Sequence, residues 1–181
     1  VGLPTASVVT VIGSAGVAIG LALQGSLSNI AGGLILLMFK PFHVGDSITV
    51  EGESGTVEEI GVFYTKITTA DNRMVIFPNS KVSNGKIVNG SAKETRRADF
   101  SFSVSYNADI DKVKALLYAA AKECTYILPD PAPSVFLSEQ TGKALVFSVN
   151  VWCRCDEFLH VKSDLTERVK KTFDANNIQI P

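Results

Sequence analysis

The chain has 181 residues, 17 Lys+Arg against 18 Asp+Glu, a formal net charge of −1 and 46% hydrophobic side chains. It has no basic block, which argues against nucleic acid as the main partner, and its three cysteines (Cys124, Cys153, Cys155) cannot build a disulfide framework, which points to a reducing compartment. The averages join two compositions: Val1 to Phe39 carries no charge and every Lys, Arg, Asp and Glu falls from Lys40 onward, which speaks against a purely cytosolic protein.

The apolar start lacks a basic n-region and is too long and Gly-rich for a signal peptide. The chain also opens without Met, which suggests a piece of something longer. Ala6 to Gln24 supplies about the 20 residues that a helix needs to cross a hydrocarbon core. With a step of about 100° per residue, Leu21 and Thr10 lie within about 40° of Val17 on one narrow stripe. Gly13, Gly16 and Gly20 fall to one side of it, and Ser14, Ala18 and Ala22 to the other. Small edges let membrane helices approach closely. Because the two edges differ, one copy's Gly edge can meet the next copy's Ala/Ser edge, a heterologous contact that closes into a ring. Val17 and Leu21 then face the axis as a narrow hydrophobic constriction. A Gly-rich helix buried in a larger bundle is the alternative reading of the same edges.

The pair Gly25-Ser26 predicts a break or bend. Beyond it Leu27, Ile30, Leu34 and Leu37 recur at helical spacing in a segment apolar nearly all round, which must be buried or lie along an interface. Asn29 is polar in that stretch and needs a partner if buried. Pro41 ends the helix.

From His43 the period changes to two. Ser47–Val50, Gly55–Ile60, Tyr64–Thr69 and Met74–Phe77 read as short strands, separated by turn signals at 52–55, Gly61, Asp71-Asn72 and Pro78-Asn79. Four or five short strands in that space predict a small barrel or sandwich. The pattern resets between Gly90 and Thr95. Ala98–Ser105 reads as a strand and Asp109–Cys124 as a helix capped near Asp109. Ser134–Ser138 and Ala144–Trp152 form a hairpin around Thr141-Gly142, and Phe158–Asn176 a second helix. Ile178-Gln179-Ile180 begins a further strand. The β-α-β-β-α-β order predicts a ferredoxin-like α+β domain.

No catalytic constellation is present in the sequence, so an enzyme is not expected. His43 and His160 are far apart, and Cys153 and Cys155 share a strand face with His160 following but lack a fourth ligand at structural-zinc spacing, so neither metal nor cofactor is expected. The run Gly13, Gly16, Gly20 has no Lys and forms no phosphate loop.

Four motifs together carry a family resemblance: Gly20-Leu21-Ala22-Leu23-Gln24-Gly25-Ser26-Leu27-Ser28-Asn29, then Phe39-Lys40-Pro41-Phe42 with Val44-Gly45-Asp46, then Thr69-Ala70-Asp71, then Pro78-Asn79. In collinear order along nearly the whole chain, they resemble the small-conductance mechanosensitive channel family, MscS. The resemblance implies a homoheptamer in the bacterial inner membrane, opening under tension to pass ions and small solutes during osmotic downshift. Its partners would be copies of itself, membrane lipids and the permeating solutes. It implies a pore-lining helix over 1–40 kinked at Gly25, an Sm-like β domain over 41–94 and a ferredoxin-like α/β domain over 95–181, the last two in the cytoplasm. Carried over by position, Val17 and Leu21 are the constriction rings. The family commonly has Leu at the first ring, so Val17 is a departure. Thr10 and Ser14 stand where small apolar residues are usual. The family also has at least two further transmembrane helices upstream and a short C-terminal strand downstream, neither of which this sequence contains. Asn29 is expected to pair with the Pro78-Asn79 loop and couple the helix to the β domain. A scaffold of another class, membrane-anchored and binding RNA or protein through these two folds, is the rival reading.

Overall fold

The computed structural model describes residues 4–180, which divide after Ala92 into two units, each taken by itself. The first unit opens with α1, Thr5–Phe39, a helix of 35 residues and so about 52 Å long. Lys40 ends it in the left-handed conformation (φ 44°), its N–H donating to Leu36 O at 3.0 Å, and Pro41 bars continuation. Of the break or bend expected at Gly25, the break does not occur, since the helix runs through it. Glycine is costly in a helix by about 1 kcal/mol, but it keeps its N–H and leaves the hydrogen-bond ladder intact.

Five strands follow: β1 Ser47–Val50, β2 Glu53–Ile60, β3 Tyr64–Thr68, β4 Met74–Pro78 and β5 Ile87–Asn89, in the antiparallel order β4-β3-β2-β1-β5. Glu51 and Gly52, both at positive φ, make the two-residue turn between β1 and β2. Alternate residues point inward, and Ile48, Val50, Val57, Ile67 and Phe77 form one core. Phe42, Val82 and Leu36 complete it, so α1 contributes a core side chain to the β unit. The first four strands lie where the sequence predicts them, but the turn expected at Pro78-Asn79 does not form. Instead Pro78 is the N-cap of a short helix, α2 Asn79–Asn84, and β5 follows it.

In the second unit β6 Thr95–Ser105, α3 Ile110–Glu123, β7 Ser134–Gln140, β8 Ala144–Arg154 and α4 Phe158–Ala175 give an antiparallel sheet in the order β6-β8-β7. Asp109 caps α3, its carboxylate accepting from the N–H groups of Asp111 (2.9 Å) and Lys112 (3.1 Å). Val113, Leu117, Val161, Leu165 and Phe173 pack onto Phe147, Val149 and Val151 of the central strand. The strand expected at 178–180 does not form among the described residues. Its one ladder-like bond is Ser105 N donating to Gln179 O at 2.8 Å, at the free edge of β6.

The thiols of this unit have separate surroundings. Cys153 donates to Arg96 O, Cys155 to Lys93 O, and His160 stacks on Tyr126 with ring centroids 5.6 Å apart. Burial, together with the neighbouring Asp164, pushes the Cys124 thiol up to about 11. About one molecule in a thousand then carries its thiolate at pH 8, the form that reacts. Iodoacetamide at that pH is expected to modify the half-buried Cys155 first and to leave Cys124 intact until the unit unfolds. Peptide mapping of the labelled protein checks this.

Candidate functional site

The first part of α1 is apolar on every side and exposed throughout the single chain. Val8, Ile12 and Ile19 lie opposite the stripe of Thr10, Val17 and Leu21. The two hydroxyls on and beside that stripe satisfy themselves within the helix. Thr10 Oγ1 donates to Ala6 O at 2.8 Å and Ser14 Oγ to Val11 O at 2.9 Å, so neither needs water. A methyl added at Gly13, Gly16, Gly20 or Gly25 would meet nothing within 4 Å. Each of these glycines disfavours the helix by about 1 kcal/mol relative to alanine, and no contact inside the chain offsets that. Ala18 and Ala22 are likewise uncovered.

The second part of α1 is different. Asn29, Gly32, Gly33 and Leu36 fall at i, i+3, i+4 and i+7, one face of the helix, and that face sits on the β unit. A methyl at Gly32 would lie 2.8 Å from the Asn79 carbonyl carbon and oxygen, and one at Gly33 would lie 2.5 Å from Asn79 Nδ2 and from Val62 O. Only glycine admits so close an approach of the backbones. Leu36 then enters the core beside Phe42.

Asn79, fully buried, anchors the other side of this seat. Its Oδ1 accepts from Thr65 Oγ1 at 2.8 Å, its Nδ2 donates to Gly61 O at 2.8 Å and to Val62 O at 3.0 Å, and its backbone N–H donates to Phe63 O at 2.9 Å. Asn29 Oδ1 accepts from Ser80 N at 3.0 Å and from Ser80 Oγ at 2.7 Å. The structure thus brings Asn29 to the first turn of α2, which holds Asn79, with Ser80 as the contacting residue. Gly32, Gly33, Ser80 and Thr65 were not singled out from the sequence. The signal for the glycines was the adjacent pair itself, set between Asn29 and Leu36 at helical spacing.

A second contact fixes the exit of α1. The Asp46 carboxylate accepts from His43 N at 2.9 Å and from Asn89 Nδ2 at 2.8 Å, while Asn89 Nδ2 also reaches Pro41 O at 3.5 Å. The backbone N–H of His43 and the Asn89 amide hold the Asp46 carboxyl below the usual carboxylate range. Its contribution is therefore complete above the ordinary carboxylate pKa of about 3.9 and is lost only as pH falls through the lowered value, so neutral and mildly acidic solutions leave it in place.

Comparison with known proteins follows this division. Residues 25–92 match the family described as "Mechanosensitive ion channel, beta-domain", and residues 98–180 that described as "Mechanosensitive ion channel MscS, C-terminal". An MscS family protein of Buchnera aphidicola subsp. Baizongia pistaciae is 44% identical over 181 residues, covering 100% of this chain and 64% of its own. The small-conductance mechanosensitive channel of Edwardsiella ictaluri is 43% identical over 168 residues, 93% of this chain and 59% of its own. The chain thus spans about three fifths of these relatives' length. The crystal structure of Helicobacter pylori MscS in its closed state superposes with a TM-score of 0.92 at 34% identity, covering 99% of this chain and 72% of that one.

Proposed function

The chain belongs to the MscS family of mechanosensitive ion channels, and on that premise we propose that it is a subunit of a tension-gated channel in the bacterial inner membrane, its charged body in the cytoplasm. The family is one of channels, not enzymes. The observation that carries the proposal is the set of glycines at 13, 16 and 20, which lie in a helix apolar enough to span a bilayer and which nothing in their own chain requires. Close packing against further copies of the same helix supplies the missing reason.

In this reading the Gly13–Gly16–Gly20 edge of each copy packs on the Ser14–Ala18–Ala22 edge of the next, seven copies closing a ring. Thr10 belongs to the same packed surface. Val17 and Leu21 then form two rings of apolar side chains around the axis, narrow enough to empty of water. Tension favours the state that occupies more membrane area. The helices tilt and slide along their small edges, the rings widen and wet, and ions and small solutes leave the cell during hypo-osmotic shock. Gly25, free of neighbours, is the position where α1 bends with least obstruction. The seat on Asn79 and Ser80 fixes the segment beyond it to the β unit.

A suction ramp on membrane patches from channel-deficient cells tests this directly. Discrete conductance steps at a reproducible tension support the proposal. Silent patches with the protein present in the membrane overturn it and leave a scaffold. Asn29→Ala removes both bonds to Ser80 while leaving the Gly32–Gly33 contact intact. It is expected to alter closing or desensitisation, with the opening tension little changed. Kinetics identical to the parent in both respects would show that this contact carries no coupling.

A further inference from the structure

The hairpin between β2 and β3 turns on residues that turns seldom use. Gly61 N donates to Tyr64 O at 2.9 Å, and the two residues between them are Val62 and Phe63 rather than Gly, Asn, Asp or Pro. All three carbonyls at 61, 62 and 63 are taken by Asn79, which turns the backbone of the tip inward and its side chains outward. Val62, Phe63 and Tyr64 are accordingly 58%, 42% and 50% exposed. This is a rigid apolar tip held by a buried amide, not a mobile loop.

The tip does not stand alone. Val62 O abuts Gly33, and Ile30 and Leu37, three residues before and four after Gly33, border it on the helix. Both are exposed, as are Leu34, Met38 and Phe39, and the first charge comes just past the end of α1, at Lys40. The hairpin shows the same gradient: apolar at Val62 and Phe63, a phenol at Tyr64, then the ion pair Lys66–Glu59 at 2.6 Å. An apolar tip, an amphipathic aromatic and then charge is the order in which side chains meet a bilayer from its acyl region outward. A second copy of the chain would need no such ordering.

From this we propose that the Val62–Phe63–Tyr64 tip is a membrane-contact element of the β unit, inserted at the lipid headgroup and acyl boundary beside the second half of α1. The proposal rests on α1 crossing a bilayer. It gives the β unit a lipid contact of its own, separate from the helix it carries.

The full chain carrying Phe63→Trp, reconstituted in phosphatidylcholine/phosphatidylglycerol vesicles with and without brominated acyl chains, tests it. The parent, whose one tryptophan is Trp152, supplies the background. Brominated lipid is expected to remove about half of the added emission while aqueous iodide has little effect, as for a side chain about 5–10 Å into the boundary. Quenching by iodide and not by bromine places the tip in water and overturns the proposal. Resistance to both means that protein covers the tip, and overturns it equally. Flotation with the vesicles separates the premise from the inference: protein that does not float defeats both, whereas floating protein with an unquenched Trp defeats only the lipid-facing tip.

Discussion

Gly33→Leu is expected to lift the second half of α1 off the β unit and to lower that unit's unfolding temperature by on the order of 10 °C. A β-carbon at this position would stand 2.5 Å from Asn79 Nδ2 and Val62 O, and neither can retreat. Val62 O is backbone, and Asn79 is held by Thr65, Gly61 and Phe63. The gain of about 1 kcal/mol in helix propensity is smaller than the expected penalty of overpacking, about 1–3 kcal/mol. If the helix lifts away, the burial of Leu36, about 2 kcal/mol, is lost as well. Gly25→Ala is the control. A methyl there meets nothing in the chain, so the propensity term acts alone and the β unit should melt as in the parent. Circular dichroism of both variants in the same detergent decides the matter. Equal melting temperatures would mean that the seat contributes nothing to the unit's stability.

Val17→Ser carries the largest functional effect expected. Each copy loses about 1.5–3 kcal/mol of apolar transfer free energy at the ring. The new hydroxyl can bond to a carbonyl of the preceding turn, as Thr10 and Ser14 do, so the helix itself is spared. What changes is the wetting of the axis. Opening at clearly lower tension, or a leak at rest that slows growth, is the expected result in patch recordings. Ile12→Ser makes a comparable loss on the opposite side of the helix and should leave the threshold near the parent value. If the two variants behave alike, the stripe does not face the axis.

How much of this could be read from sequence follows from the physics of each element. Strands β1, β3 and β4 alternate because one face is buried and the other wet, and that period survives in the residue types, whereas β2 loses it at the bulge between Val57 and Glu59. The short α2 and β5 were missed because six and three residues are too few to show a period, and because Pro78 is as much at home ahead of a helix as in a turn. In the second part of α1, Leu27, Ile30, Leu34 and Leu37 dominate the sequence pattern, since branched apolar side chains usually mark a buried face. The face that meets the β unit is instead Asn29–Gly32–Gly33–Leu36, chosen by size rather than hydrophobicity. At 178–180 the alternation of Ile, Gln and Ile reads as strand, but only one bond to β6 forms there. The stripe around Val17 is legible in sequence alone, because helical geometry fixes which residues share a face. What it faces depends on other copies.

Leu36 belongs to the core of a unit whose strands are all made after it. A ribosome emits α1 before the β unit, and the segment destined for the bilayer can leave for the membrane while the pocket for Leu36 does not yet exist. That pocket is complete only once Val82 has emerged and β5 has closed the sheet at Asn89. Insertion and folding are therefore coupled in time: until some fifty further residues have been translated, about the span from Leu36 to Asn89, the second half of α1 is an apolar helix with an open face.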